Sequence, residues 1–151
     1  MSDPAGSSIH ASAVLVGSRA LLIRGPAGSG KSRLSFALLE ASRTATVAFA
    51  RLVADDRTVL EVAHRRLLAR PVPNLQGLLE IRGLGIRRLP FEPVAVVSHV
   101  VDLAVADAAR LPEDADREAA VCGIMLPRIA VSSTADPLTP VLAALITVTA
   151  N

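Results

Sequence analysis

The 151-residue chain has no tryptophan, no tyrosine and only three phenylalanines. Its core must be built from Ala, Val, Leu and Ile packed between sheet and helices. The aromatic platforms on which single-stranded nucleic acid stacks are missing. Cysteine occurs once, which excludes an intramolecular disulfide. Flanked by Val121 and Gly123, Cys122 reads as a small hydrophobe buried in a strand, in a reducing compartment. Unbroken apolar runs are lacking too. Val94 to Ala109 is interrupted by His99, Asp102 and Asp107, and Leu138 to Ala150 falls short of the roughly 20 residues a spanning helix needs. No membrane partner is expected. Met1 to Ser8 is polar, carries Asp3 and Pro4, and has no basic stretch leading into an apolar core, so it lacks a secretory signal's layout. A cytoplasmic enzyme or switch is the expectation, with residues 1–8 a flexible N-terminus and 9–151 a single domain.

Lysine is nearly absent as well: of 16 basic residues 15 are arginine and one is Lys31. Against 14 acidic residues the net charge is only +2. The sequence pI near 9.5 therefore reflects the high pKa of arginine and not a dense positive surface, and no nucleic-acid partner is expected. What is present in quantity is apolar: 51% of residues are hydrophobic and 20% charged, the balance of one globular domain.

Turn residues divide that apolar content. Ile9 to Val16 and Ala20 to Arg24 read as strands joined at Gly17-Ser18, a hairpin. A Gly/Pro/Ala-rich loop follows, and then Leu34, Ala37, Leu38 and Ala41 recur at helical spacing. Thr44 to Ala54 is apolar and β-prone and ends at Asp55-Asp56-Arg57; Thr58 to Val62 is the next strand. Pro71-Val72-Pro73-Asn74 is a break, Leu78 to Ile81 resumes an apolar run, and Arg82-Gly83-Leu84-Gly85 interrupts it. Val94 to Val105 is strand-like. An acidic loop at Pro112 to Glu118 precedes short apolar runs at Val121 to Leu126 and Ile129 to Val131, and Leu138 to Ile146 forms a last helix with Pro140 near its start.

Gly25-Pro26-Ala27-Gly28-Ser29-Gly30-Lys31-Ser32 satisfies G-x-x-x-x-G-K-[ST] in the strand–loop–helix context that the pattern requires. Its glycines let successive backbone N–H groups converge on phosphate, and the positive end of the following helix adds to that field. Lys31 reaches the terminal phosphates and the Ser32 hydroxyl ligates Mg²⁺. A helix-capping glycine loop is the plain alternative, against which stands the placing of the chain's only lysine here. The same scarcity disfavours a guanine-specific switch, whose Asn-Lys-x-Asp base reader needs a second lysine. Asp55 and Asp56, 24 and 25 residues after Lys31, end an apolar run where a P-loop enzyme places a metal-directed or base carboxylate. One can face the metal while the other accepts a proton. Asp-Asp-Arg is also ordinary turn chemistry.

The phosphate loop, Val53-Ala54-Asp55-Asp56-Arg57 and Glu80-Ile81-Arg82-Gly83-Leu84-Gly85, in that order, resemble HPr kinase/phosphorylase. That enzyme phosphorylates and dephosphorylates a serine of the phosphocarrier protein HPr. The hexapeptide at 80–85 is highly specific to the family, and the resemblance runs from about Ile9 to Ile129. It implies an α/β fold, a single P-loop domain with a mixed twisted β-sheet and flanking helices, of the HPr kinase/phosphoenolpyruvate carboxykinase-like kind. It also implies ATP binding at Gly25 to Ser32, with Lys31 neutralising phosphate charge and Ser32 and Glu80 holding Mg²⁺. Asp56 then acts as proton acceptor in the kinase direction, supported by Asp55, and as donor in the reverse attack of inorganic phosphate on phosphoserine, which yields pyrophosphate. His10 matches the family's N-terminal active-site histidine, and Arg110 its late catalytic arginine, with Arg117 the competing candidate. The partner implied is an HPr-type phosphocarrier, and longer members assemble as hexamers. His64 and His99 are expected to be ordinary structural histidines.

Three departures qualify the resemblance. Thr44 to Phe49 looks like an insertion in a surface connection. Ser132 to Pro137 carries no positive charge where longer members have a basic loop tied to dephosphorylation. The sequence ends without those members' C-terminal helices, which fits a short form made of little more than the catalytic domain. Two other readings remain open: a small-molecule P-loop kinase with Arg65, Arg66 and Arg70 in a lid, and a nucleotide-sensing module without turnover.

Overall fold

The computed structural model describes residues 7–109, 112–148 and 150. Eleven strands and two helices are present among them. The order is β1 (Ser7–Ile9), β2 (Ala11–Val16), β3 (Arg19–Arg24), α1 (Lys31–Arg43), β4 (Ala50–Ala54), β5 (Thr58–Ala63), β6 (Arg66–Pro71), β7 (Leu78–Ile81), β8 (Gly85–Arg88) and β9 (Ala95–Leu103). A 3-10 turn (Asp114–Arg117), β10 (Glu118–Val121), β11 (Ile124–Val131) and α2 (Leu138–Ile146) complete it. No helix among the described residues is long and apolar enough to cross a membrane.

The main sheet runs β1-β5-β6-β9-β3-β2-β4, with β11 also on β9 and β10 on β11. It is mixed: β3 and β11 lie parallel to β9, and the other pairs are antiparallel. β9 serves three neighbours because its N-terminal residues Ala95 and Val96 pair with β6 while Val100 to Leu103 pair with β11. Strand alternation sorts its side chains into two apolar layers. Ala11, Ala13, Ala20, Leu22, Val53, Val97 and Val100 fill one, and Val14, Leu21, Ile23, Leu52, Val101 and Leu103 meet Leu34 and Leu38 of α1 and Val141 of α2 in the other. β7 and β8 form a separate hairpin, and β7 anchors it in the helix-side layer through Leu79.

Several expectations need correction. Residues 9–16 are not one strand: the chain bends at His10, and β1 begins at Ser7, inside the segment read as flexible, because Ser7 and Ser8 pair with Leu60 and Val59. Of the β-prone stretch from Thr44, only Ala50–Ala54 is strand. Residues 44–49 close the end of α1, where the N–H groups of Thr46 and Val47 both donate to the Ala41 carbonyl. Cys122 is exposed and not buried. It takes a left-handed φ of 51°, followed by Gly123 at 80°, the two-residue turn whose twist suits a tight hairpin, and this joins β10 to β11. His64 sits in the equivalent turn between β5 and β6, at φ 52°.

Candidate active site

The phosphate loop lies where the pattern placed it, between β3 and α1. Gly25 admits no side chain: a Cβ there would stand 2.5 Å from the Ser29 hydroxyl and 3.1 Å from the Leu103 carbonyl. Gly30 caps α1 at a left-handed φ of 100°, a conformation that costs most other residues about 1–2 kcal/mol. Lys31 is only 6% exposed and its ammonium donates to the carbonyls of Gly25 (2.8 Å) and Pro26 (3.2 Å), drawing the loop into a ring. The Ser29 hydroxyl is buried with no protein partner. Ala27, Gly28 and Gly30 of the loop open onto the cleft beside Lys31 and Ser32, the arrangement in which backbone N–H groups take up phosphate oxygens.

Beside the loop, the two aspartates part company. Asp55 accepts the Ser32 hydroxyl on both oxygens (2.8 and 3.0 Å), the Ser12 hydroxyl on Oδ1 (2.8 Å) and the Glu80 N–H on Oδ2 (3.3 Å). Asp56 turns the other way, its Oδ1 2.7 Å from Nε2 of His10, and both side chains reach solvent (70% and 43% exposed). Asp56 holds a φ of 66°, a region that Asp enters more readily than most residues.

His10, Lys31, Ser32, Asp56 and Glu80 line one cleft of about 660 Å³, and Asp55 joins it through its bonds to Ser32 and the Glu80 N–H. The oxygens of Ser32, Asp55 and Glu80 suit a hard cation. No cluster of three or more His, Cys, Asp or Glu side chains forms a metal cage among the described residues. The structure thus brings His10, Lys31, Ser32, Asp55, Asp56 and Glu80 together. Arg110 lies outside the described residues. Arg117 lines a different groove with Met125 and Pro127 and pairs with Asp114. Arg65, Arg66 and Arg70, the lid candidates, lie on the β5–β6 hairpin away from the cleft lining, where Arg70 pairs with Glu61.

The family model for the HPr serine kinase C-terminal domain matches residues 5–111, well over half of the sequence. The chain belongs to that family. HPr kinase/phosphorylase of Mycoplasma mycoides subsp. mycoides SC is 32% identical to it over 77 residues, which are 51% of this chain and 22% of that protein, so the match spans about a fifth of the curated relative. In three dimensions it resembles the Hpr(Ser) kinase/phosphatase from Coxiella burnetii with a TM-score of 0.73 at 22% identity, covering 92% of this chain and 93% of that one. The fold of the HPr kinase family is therefore present over nearly the whole length.

Within that fold, three residues of the cleft and one buried behind it carry little mark in the sequence. Ser12 looks like any residue of an apolar strand, and only its bonds to Asp55 and Asp56 reveal it. Arg33, Phe36 and Arg82 line the cleft; Arg33 follows the P-loop serine directly and Arg82 sits inside the hexapeptide, so proximity to the motifs is the available signal. Asp102 figures in the sequence only as an interruption of an apolar run. It accepts Arg24 (2.8 and 2.9 Å) and Arg128 (2.6 Å), and Arg128 reaches on to Asp107 (2.9 and 3.1 Å). Burial alone raises the pKa of Asp102; the hydrogen bonds and charges of the two arginines outweigh it and hold the carboxyl below the ordinary 3.8.

Proposed function

We propose that the chain is an ATP-dependent kinase for a serine hydroxyl of an HPr-type phosphocarrier protein, with the reverse phosphorylase reaction as its second activity. The observation that carries this reading is the split pair: adjacent carboxylates, one bonded to the phosphate-loop serine and the other to a histidine at the solvent edge. Family membership supplies the substrate class. The exposure of Asp56 (70%) suits a hydroxyl presented on another protein's surface, whereas a small metabolite calls for an enclosing pocket.

Lys31 and the loop N–H groups orient the triphosphate and offset its charge. Ser32 and Glu80, with Asp55 beside them, would hold Mg²⁺, which would add neutralisation of the phosphate charge. Asp56, with His10 on one oxygen, offers the other to the serine hydroxyl and takes its proton as the oxygen attacks phosphorus. In reverse the protonated carboxyl returns that proton to the departing serine oxygen, while inorganic phosphate attacks the phosphoserine and pyrophosphate forms. A cytoplasmic location and a homo-oligomeric assembly belong to the same reading.

The test is incubation of the purified protein with Mg²⁺·ATP and the HPr-type phosphocarrier of the same organism, followed by intact mass and peptide mapping. One phosphate on a serine, absent with Lys31→Ala, is the expected result. Nucleotide binding without transfer would overturn the reading in favour of a small-molecule kinase or a sensing module.

A further inference from the structure

We propose that Ser12 is a positioning residue for phosphoryl transfer, its one buried hydroxyl setting the two adjacent aspartates toward different partners. The inference rests on the reading above, with Asp55 on the cation side and Asp56 on the proton.

Ser12 lies in β2, an interior strand between β3 and β4, and is 0% exposed with Ala11 and Ala13 equally buried on either side. The alternation that puts those alanines in the layer away from α1 leaves Ser12 with Val14 on the helix side. Packing alone is served by alanine at such a site, since a buried hydroxyl without partners is destabilising. Both of its side-chain bonds go to the aspartate corner. The hydroxyl donates to Asp55 Oδ1 (2.8 Å), and its oxygen accepts the N–H of Asp56 (3.2 Å). A single atom thereby fixes a side chain with its proton and a backbone with its lone pair.

Each bond has a directional consequence. The first holds the Asp55 carboxylate where both oxygens reach the Ser32 hydroxyl. The second ties down the amide of a residue at φ 66°, a conformation that persists only where the surroundings determine it, and from it the Asp56 side chain departs toward His10. The pairing of β2 with β4 also shifts register between Ala13 and Val14, leaving Val53 without a partner on β2. A bulge of this kind bends the strand and re-aims the residues beyond it, here bringing the aspartate pair over Ser12. Thr58, fully buried in the same corner, offers the contrast: its hydroxyl donates to the Ala11 carbonyl (2.8 Å), a purely backbone clip.

The test compares Ser12→Ala, Ser12→Val, Ser12→Thr and Thr58→Val in steady-state transfer, melting temperature and ATP binding with and without Mg²⁺. Threonine and valine have the same shape, so their difference isolates the hydroxyl from any overpacking. Ser12→Ala and Ser12→Val are expected to lower kcat by about 10- to 100-fold and to weaken the Mg²⁺ enhancement of ATP binding, with Mg²⁺-free binding intact. Ser12→Thr recovers most of the rate, and Thr58→Val lowers the melting temperature while the folded protein keeps its kcat. Equal rates for Ser12→Thr and Ser12→Val, or a kcat loss in Thr58→Val matching that of Ser12→Ala, would overturn the inference. Should the wild-type chain transfer no phosphate, the kinase reading fails. The role in transfer then falls with it, and the binding arm decides the Asp55 half alone: an unchanged Mg²⁺ enhancement in Ser12→Ala overturns the setting of Asp55, and a weakened one sustains it.

Discussion

Asp55 and Asp102 are both buried or half-buried carboxylates near the phosphate loop, and each collects several hydrogen bonds, yet the donors differ in kind. Asp55 is held by two hydroxyls and an amide, all neutral. Asp102 is held by two guanidiniums, and the cluster Arg24–Asp102–Arg128–Asp107 balances its charges within itself. Neutral donors orient a carboxylate and leave its negative charge free to attract a cation; guanidiniums orient it and cancel that charge. The number of hydrogen bonds therefore does not separate these two carboxylates, whereas the charge of their donors does.

The sharpest way to break this comparison lies one residue from Asp55. Asp56→Asn keeps the size of the side chain and removes only its basicity, so transfer to the phosphocarrier is expected to fall by about 10²–10⁴-fold. Nucleotide affinity and melting temperature should stay near wild type, because the side chain is largely exposed and its ion pair is with His10. Single-turnover transfer together with calorimetric ATP binding checks both halves, and wild-type rates would remove Asp56 as the base.

The structural carboxylate should show the opposite pattern. Asp102→Asn leaves Arg24 and Arg128 facing a neutral amide in a largely buried setting, at an expected cost of about 3 kcal/mol, or roughly 6–12 °C in Tm. Nucleotide affinity is expected to survive in the folded fraction. The pH dependence follows from the depressed pKa of Asp102. Its contribution is fully present above the ordinary value of 3.8 and is lost as pH falls through the lower folded value, so the wild type loses stability in that acid window and the variant's curve is flatter there. His99, whose pKa burial lowers from 6.5, acts in a separate window. Its neutral form is the one the fold favours, and stability declines as pH drops below 6.5. Urea midpoints from pH 7 down to about pH 2 would resolve the two steps.

The contrast also explains what could be read from the residues alone. The phosphate loop, the Asp-Asp pair and the 80–85 hexapeptide are contiguous, and contiguous chemistry carries its own signature; each contributes residues to the cleft lining. Ser12, Arg24 and Arg128 act across 43, 78 and 26 residues, and no local pattern encodes a partner at that distance. Strand limits failed for a related reason. Cys122-Gly123 is apolar enough to pass for strand, but its two positive φ values make it a turn. His10 breaks an otherwise β-branched and small-residue run in the bend between β1 and β2, and so stands beside Asp56. In both places the backbone conformation needed by a hairpin or a site overrode side-chain propensity.

Arg128 allows the smallest and most discriminating comparison, because it grips two carboxylates at once. Its Nε meets Asp102 at 2.6 Å, while its two terminal nitrogens meet Asp107 at 2.9 and 3.1 Å. By distance the two contacts are near equals, and Arg128 helps to pull both carboxyls' pKa values down, after Arg24 at Asp102 and as the largest cause at Asp107. They differ in surroundings: the Asp102 side chain is 9% exposed and that of Asp107 50%. Where water can replace a lost partner, an ion pair adds little. Asp107→Asn should thus leave the urea midpoint nearly unchanged at low salt and unchanged at about 1 M salt, where exposed charges are screened, while Asp102→Asn stays destabilised at both. A loss for Asp107→Asn as large as that for Asp102→Asn would mean that bond geometry and not burial sets the strength of the cluster.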